Sequence, residues 1–303
     1  MRTTDEPVRV LYVSGWVYSG STLLANILGE LEGVLAAGEV RHIWRRGLLE
    51  DRRCGCGAAF SACPFWRAVV DEAFGDAARF DAERAAAIDE RLVWNRRFPQ
   101  LLLARRGRGG AAAELREHTE NVARLYGAIR SVSGCDVIVD TSKSPLYALV
   151  LGCVPGIDLR VAQLVRDARG THCSRRRRTN LIGPWTSLLL YDLWHAVTEV
   201  WLRRPGRYAL VRYEDFVRDP GSTVRRLARL AGADGDGLPY LEGGRVTLQP
   251  NHNLAGNPNR FQSGTVEIRL DDAWRRDLPA RERALAVALT WPILLRHGYV
   301  GRG

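Results

Sequence analysis

The stretch SGWVYSGSTLLANILGE, Ser14 to Glu30, follows the apolar run VRVLYV and differs from a familiar phosphate-binding loop at one position. In G-x-x-x-x-G-K-[ST], backbone N–H groups cradle phosphates, the lysine reaches the β/γ oxygens and the hydroxyl residue holds Mg²⁺. Here Ser21 stands in the lysine's place. Gly15 and Gly20 still permit a turn that brings N–H groups toward one point, and Ser21 and Thr22 open a helix whose N-terminus favours an anion. A plain glycine turn with a Ser/Thr cap is the simpler reading. The order strand, loop, helix is what favours phosphate binding.

Three other stretches hold residues suited to chemistry. In VRDARGTHCSRRRR, Arg166 sits at a strand's end and Ser174 on the following helix, a pair of donors able to grip a second phosphate. The RRRR run also reads as a solvated helical face or a localisation signal. The chain has 44 lysines and arginines, and Lys143 in VDTSKSP is its single lysine. Codon bias toward arginine accounts for the imbalance, but a compact ammonium and a guanidinium are not interchangeable where a point charge meets a small anion. In AAGEVRHIW, Glu39 follows a second apolar run and His42 lies one helical turn further on. Either is a candidate base; the simpler role for Glu39 is a helix N-terminal carboxylate worth about 0.3–1 kcal/mol against the dipole.

Cys54, Cys56 and Cys63 crowd into CGCGAAFSACPFW. Without a secretion signal a disulfide framework is disfavoured. The spacing C-x-C then C-x₆-C is not that of a standard finger, so packed thiols compete with a zinc site completed by His42 or another residue.

The elements that must position these residues follow from short apolar runs. Val8 to Ser14, Val34 to Ala37, Val137 to Asp140, Leu159 to Val165 and Tyr208 to Val211 read as strands buried on both faces, separated by helical patterns. This predicts an α/β fold: a doubly wound parallel sheet of about five strands, with ligands beyond the carboxyl ends. Residues 1–303 are expected to form a single domain, with a mostly helical cap inserted at about 64–132. Within the cap, DAERAAAIDERLVWNRRFPQLLLA and AAAELREHTENVARLYGAIRSV flank the exposed joint ARRGRGGAAAE. The loop QPNHNLAGNPNRFQSGTVEI is too rich in Asn, Gly and Pro for a regular element, and long irregular loops are more often functional than idle. Trp44, Trp66, Trp94 and Trp185 line either an aromatic pocket or the core.

Composition narrows the classes. The chain is 46% hydrophobic, with no run long enough to span a membrane, and MRTTDEP carries no targeting segment, so a cytoplasmic location is expected. A formal charge of +10 invites nucleic-acid binding, but the arginines are dispersed and no nucleic-acid-binding motif accompanies them.

Taken together, SGSTLL after the first strand, VRDARGTHCS after a later one and the distal RFQSG resemble the loops with which sulfotransferases hold 3′-phosphoadenosine 5′-phosphosulfate (PAPS). The resemblance covers most of the chain and lies nearest the bacterial relatives of the tyrosylprotein and carbohydrate sulfotransferases. It implies a P-loop-like fold and transfer of a sulfuryl group from PAPS to a hydroxyl of a small molecule or carbohydrate, with no metal required and neither nucleic acid nor membrane as partner. It further implies that Ser19, Gly20, Ser21, Thr22 and Leu23 bind the 5′-phosphosulfate, and that Arg166 and Ser174 hold the 3′-phosphate. Arg260 and Gly264 would close over that phosphate, and Tyr213 would lie against the adenine. Lys143 would stabilise the transition state and bridging oxygen, and Glu39 would be the base, with His42 competing. Many relatives carry Arg or Lys before the SGS/SGT triplet, where this chain has Tyr18, a donor without charge. The competing readings are a P-loop kinase with Asp140 as Mg²⁺ ligand and a non-enzymatic nucleic-acid-binding protein.

Overall fold

The run VRVLYVSG becomes strand β1 (Val8–Gly15), whose side chains leave the sheet on alternating faces. Val10 and Tyr12 enter one apolar cluster and Leu11 and Val13 another, so the strand is buried on both sides. The computed structural model describes residues 6–75, 79–177 and 183–301. Residues 1–5 and Arg178, the last of the RRRR run, lie outside them.

Strands β2 (Val34–Gly38), β3 (Val137–Lys143), β4 (Ile157–Val165) and β5 (Tyr208–Arg212) complete an all-parallel sheet in the order β2-β3-β1-β4-β5. The doubly wound α/β class is therefore the one expected. Strand β3 runs further than its apolar stretch, carrying the polar Thr141 and Ser142 to Lys143. Helix α1 (Ser21–Leu28) follows β1. Four helices, α2 (Pro64–Phe74), α3 (Ala82–Leu92), α4 (Phe98–Ala104) and α5 (Ala111–Ser133), fill the insertion between β2 and β3. The stretch from Asp81 to Ala104 is broken rather than continuous: α3 ends at Leu92, and α4 starts afresh at Phe98 with Pro99 in its first turn, where a missing N–H is tolerated. Trp44, Trp66 and Tyr126 join Val10, Tyr12 and Ile138 in one cluster, which fastens the insertion to the sheet.

Downstream come α6 (Pro145–Leu151), α7 (Ala168–Arg176), α8 (Pro184–Leu202), α9 (Tyr213–Arg218) and α10 (Pro220–Ala231). Asp219 caps α10, accepting from the Ser222 N–H at 3.0 Å. Three short antiparallel strands, β6 (Leu241–Glu242), β7 (Arg245–Leu248) and β8 (Gly264–Glu267), form a second sheet. Gly243 and Gly244, both at positive φ, make the two-residue turn between β6 and β7. The loop from Gln249 departs from the irregular reading twice: Pro258–Phe261 form a 3₁₀ turn, and from Gly264 GTVE pairs with β7. Helices α11 (Trp274–Asp277) and α12 (Ala280–Arg296) close the fold, the latter interrupted at Thr290 ahead of Pro292.

The irregular loop is held against the sheet edge. Leu254 donates to the Ala37 carbonyl at 2.9 Å and accepts from the Glu39 N–H at 2.7 Å, forming a parallel bridge to Gly38. Gly38 has φ 78, and a Cβ there would lie 2.5 Å from the Leu254 oxygen and 2.6 Å from its nitrogen. Both clashes are with backbone, which cannot yield. Gly33 has a similar φ of 71 but open space around it. Gly33→Ala is therefore expected to cost about 1–2 kcal/mol, the left-handed backbone strain alone. Gly38→Ala should cost clearly more, about 3 kcal/mol or above, because it also separates the loop from β2. Urea unfolding of the two variants checks this, and equal losses would contradict it.

Candidate active site

Each of the five parallel strands delivers a candidate residue at its carboxyl end. The order across the sheet is Glu39 after β2, Lys143 ending β3, the glycine loop after β1, Arg166 after β4 and Tyr213 after β5. They meet in a cleft of about 700 Å³. Of the residues singled out from sequence, Tyr18, Gly20, Ser21, Thr22, Leu23, Glu39, His42, Lys143, Arg166, Ser174 and Tyr213 line it.

The glycine loop depends on its glycines. A Cβ on Gly15 would sit 2.5 Å from the Leu164 oxygen, and one on Gly20, at φ 91, would sit 2.7 Å from the Tyr213 ring. With those atoms absent, the loop lies flat on β4 and against Tyr213. Helix α1 then starts with no acidic residue in its first turn and no side-chain cap. The Ser19 hydroxyl is buried with no hydrogen-bond partner. An uncapped helix N-terminus beside an unsatisfied buried donor is the arrangement an anion would complete.

At the β2–β3 side, Lys143 and Glu39 are paired. The register between β1 and β3 steps from Tyr12↔Asp140 to Ser14↔Lys143, an extra residue on β3, and that bulge re-aims Lys143. Lys143 lies at φ 66, a conformation that a long side chain adopts only under constraint. Its Nζ donates to Glu39 Oε1 and, at 3.1 Å, to the Thr141 carbonyl. Glu39 Oε2 receives Arg46 at 3.3 Å and lies 3.5 Å from His42 Nε2. Burial pushes the Glu39 carboxyl upward, but the Lys143 charge and hydrogen bond, with His42 and Arg46, hold it below the usual carboxylate range. For His42, burial outweighs the pull of Glu39, and with Arg46 and Arg41 nearby its pKa falls to about 4. Glu39 is thus ionised and His42 neutral at ordinary pH.

At the β4–β5 side, the Arg166 guanidinium donates to the Tyr18 carbonyl at 2.9 Å and lies 4.5 Å over the Tyr213 ring. It also contacts the Asp271 carboxylate at 2.9 Å, and Ser174 Oγ donates to the same carboxylate at 3.1 Å. Arg166 and Ser174 therefore already grip an oxyanion, one supplied by the chain itself. Tyr18 takes the left-handed conformation, φ 63, that turns its carbonyl to Arg166.

Three named residues do not line the cleft surface: Ser19, in the loop directly ahead of α1, has its hydroxyl buried, and Arg260 and Gly264 belong to the distal loop and the start of β8. Arg260 donates to the carbonyls of Gly256, at 2.9 Å, and Arg53, at 3.3 Å, on the side away from Arg166. Asp140 does not reach the cleft either. It is fully buried, accepts from the Ser142 N–H and hydroxyl at 2.7 and 2.6 Å and from Tyr126, and burial raises its pKa to about 6. A carboxylate so engaged is not placed to hold Mg²⁺, which removes the main support for the kinase reading. His42, offered as a fourth zinc ligand, belongs to the Glu39 group, whereas the three cysteines have His252 beside them. The tryptophans divide: Trp44 and Trp66 are core, Trp94 and Trp185 are exposed, and the one lining the cleft is Trp194. Arg46 and Asp271 lie outside the motifs of the sequence. Arg46 was findable, since Glu39, His42 and Arg46 follow helical spacing i, i+3, i+7 and the chain there coils through a 3₁₀ turn into a π-helical segment. Asp271 carries no such signal.

An open parallel sheet with a glycine loop after its central strand defines the class, and solved structures share that fold. The chain is similar to the sulfotransferase domain of the Synechococcus PCC 7002 olefin synthase, with a TM-score of 0.55, 18% identity and 97% of each chain covered. It is also similar to the sulfotransferase domain from the curacin biosynthetic pathway, with a TM-score of 0.52, 14% identity and coverage of 93% of this chain and 96% of that one. At such identities the likeness is one of fold. Residues 11–236 match the profile described as the sulfotransferase family, and the chain belongs to that family. Human carbohydrate sulfotransferase 3 is 28% identical over 174 residues, 48% of this chain and 34% of that protein, so the match spans about a third of that relative's length. Among the described residues no helix is long and apolar enough to cross a membrane.

The electrostatics of the Glu39 group give a pH expectation. The unfolded chain protonates His42 near its ordinary value of 6.5, whereas the folded protein does so only near 4. The unfolded state binds more protons across that window, so stability falls as pH drops from 6.5 to 4. In an NMR titration the His42 resonances should move with a midpoint near 4, and His42→Gln should make the decline shallower. A midpoint above 6 would contradict the neutral assignment.

Proposed function

We propose that the protein moves a sulfuryl group from PAPS to a hydroxyl on a small molecule or carbohydrate, releasing 3′-phosphoadenosine 5′-phosphate. The observation that carries this reading is the presence of two anion-receiving places in one cleft. One is the uncapped start of α1 with the unpartnered Ser19 hydroxyl, and the other is the Arg166–Ser174 pair. A nucleoside triphosphate, with its phosphates in one chain, would need only the first, whereas PAPS carries one group for each. In this reading Asp271 leaves Arg166 and Ser174 when the 3′-phosphate arrives, since two anions cannot share one guanidinium without repulsion.

The residues present fit the reaction. Sulfuryl transfer spreads charge over the moving oxygens, so positioning and fixed cations dominate, as in phosphoryl transfer. The acceptor oxygen attacks sulfur, its proton passes to the Glu39 carboxylate, and the bond from sulfur to the bridging oxygen breaks. Lys143 stabilises the charge left on that oxygen. Glu39 is ionised and so free to take the proton, although its pKa does not rise toward the operating range as a base would favour: Lys143 holds it low, and the carboxylate gains basicity only as the ammonium turns to the leaving oxygen. Arg46 and Lys143 together offset the positive charge that Tyr18 does not supply. On the acceptor side, a second hollow of about 530 Å³ shares Arg41 with the cleft and carries Trp94 and Arg97. An aromatic face among guanidinium groups suits a sugar or another polar acceptor.

Arg166→Ala is expected to weaken binding of 3′-phosphoadenosine 5′-phosphate about 10–100-fold, the loss of a charge-assisted contact. Titration calorimetry with this bisphosphate and with ATP–Mg²⁺ checks it. Tight ATP–Mg²⁺ binding with none of the bisphosphate would overturn the reading. Lys143→Ala and Glu39→Gln should each lower kcat about 10²–10³-fold while leaving bisphosphate affinity near that of the wild type. Their combination should be less than additive, because either change already breaks the same pair. Weakened cofactor binding with unchanged turnover would contradict both roles.

A further inference from the structure

Away from the cleft, Cys54, Cys56, Cys63 and His252 bring one ligand atom each within 4.8 Å of one another. The separations resemble the edges of a coordination tetrahedron. Cys63 Sγ lies 3.6 Å from Cys54 Sγ and 3.8 Å from Cys56 Sγ, while His252 Nδ1 lies 3.6 Å from Cys54 Sγ and 3.3 Å from Cys63 Sγ. With Zn–S near 2.3 Å and Zn–N near 2.0–2.1 Å, tetrahedral angles give edges of about 3.8 Å between sulfurs and about 3.6 Å from sulfur to nitrogen. We propose that these four side chains bind one zinc ion in tetrahedral S₃N coordination.

The local fold is built for this. Arg53 and Ala59 bridge to close a tight turn that holds Cys54 and Cys56, with Gly57 at φ 89 and its N–H donated to the Cys54 carbonyl at 2.9 Å. Cys63 is the residue before α2, where Pro64 opens the helix, so its position is fixed by the helix start. His252 comes from the distant irregular loop. Its ring stacks on Phe65 at 5.0 Å and its carbonyl accepts from Trp66 Nε1 at 2.9 Å, which fixes Nδ1 toward the sulfurs. Gly55 allows the two segments to approach, since a Cβ there would lie 2.1 Å from Asn251 Oδ1.

A pure hydrophobic packing of thiols gives no reason for an imidazole nitrogen at the centre of the group. A disulfide would join two of the three sulfurs and leave the third and the histidine without a role, and all six cysteines are free. Three soft thiolates with one imidazole in a closed four-ligand set select zinc and leave no open position for substrate, so the ion is structural. On binding, the three thiols lose their protons to solvent and the imidazole enters as the neutral base. The ion clasps the turn before α2 to the loop that bridges Gly38 at Leu254 and passes Gly256 beside Glu39. It therefore stabilises the wall of the cleft without touching the reacting atoms, and the sulfuryl transfer itself still needs no metal.

The test uses the full-length protein, purified and reconstituted with zinc under reducing conditions. Elemental analysis should find one zinc per chain, and Cys56→Ser and His252→Ala should each reduce it at least about tenfold. Because a variant can fail to fold, the wild type is also reconstituted with Co²⁺. Intense tetrahedral ligand-field bands with thiolate charge transfer are expected, and removal of the metal by chelator should lower the unfolding temperature. An octahedral Co²⁺ spectrum, less than about a tenth of an equivalent of zinc, or full retention of zinc in both variants would overturn the site. So would a metal-free protein that shows two fewer titratable thiols than its six cysteines when denatured, since that marks a disulfide in the cluster.

Discussion

The buried pair of Glu39 and Lys143 sets the terms for much of the surrounding structure. A carboxylate that is 8% exposed is strongly destabilising unless cations and hydrogen bonds meet it. Three groups do so, from one strand and one helical stretch: Lys143 at the end of β3, and His42 and Arg46 in the coil of 3₁₀ and π turns after β2. Several unusual local features become necessary once that pair is fixed. The bulge at the end of β3 and the positive φ of Lys143 bring the ammonium to the carboxylate, and Gly38 lets the backbone of Leu254 cover the edge beside it. Each feature is a local departure from ideal strand geometry, and all of them fall at the sheet's carboxyl end.

In the proposed reading, the same edge is what accommodates a donor with two anionic groups. Parallel strands all end on one side, so the lateral order of the sheet becomes the lateral order of the site. Glu39 follows β2 and Lys143 ends β3, the glycine loop follows the central β1, and Arg166 and Tyr213 follow β4 and β5. The reacting centre and the far anion site are thus on opposite sides of the loop. Tyr213 links the two halves of this arrangement, because its ring fills the space that a Gly20 side chain would occupy and lies beneath the Arg166 guanidinium.

What could be read in the sequence divides along a physical line. Strand positions and the insertion were legible because apolar runs and helical periodicity are local signals, and the glycine loop, Glu39, Lys143 and Arg166 were legible because strand ends mark the site in this fold class. The EGGR turn of the second sheet was a local signal too, but its flanking strands are too short to show alternation. Pairings between distant segments were not legible. His252 follows Cys63 by 189 residues, and nothing near it in PNHNLAG indicates that its partners are thiols. Asp271 meets Arg166 only because the chain returns past α7, and Arg260 turns toward Arg53 because the loop is folded onto the cysteine turn rather than onto Arg166.

The single lysine gains a reason from this geometry. An ammonium has three N–H donors on one atom, and those of Lys143 meet Glu39 and the Thr141 carbonyl, leaving a third to turn toward the cleft. A guanidinium spreads its donors over a rigid plane and would lock bidentately onto the Glu39 carboxylate, holding both lone-pair faces that a base needs. Lysine can exchange its hold on Glu39 for an incoming oxygen by a rotation about its terminal bond, while Arg46 and His42 stay with the carboxylate. In a chain that uses arginine at every other cationic position, the proposed need for a point charge shared between a base and a leaving group gives the exception a physical reason.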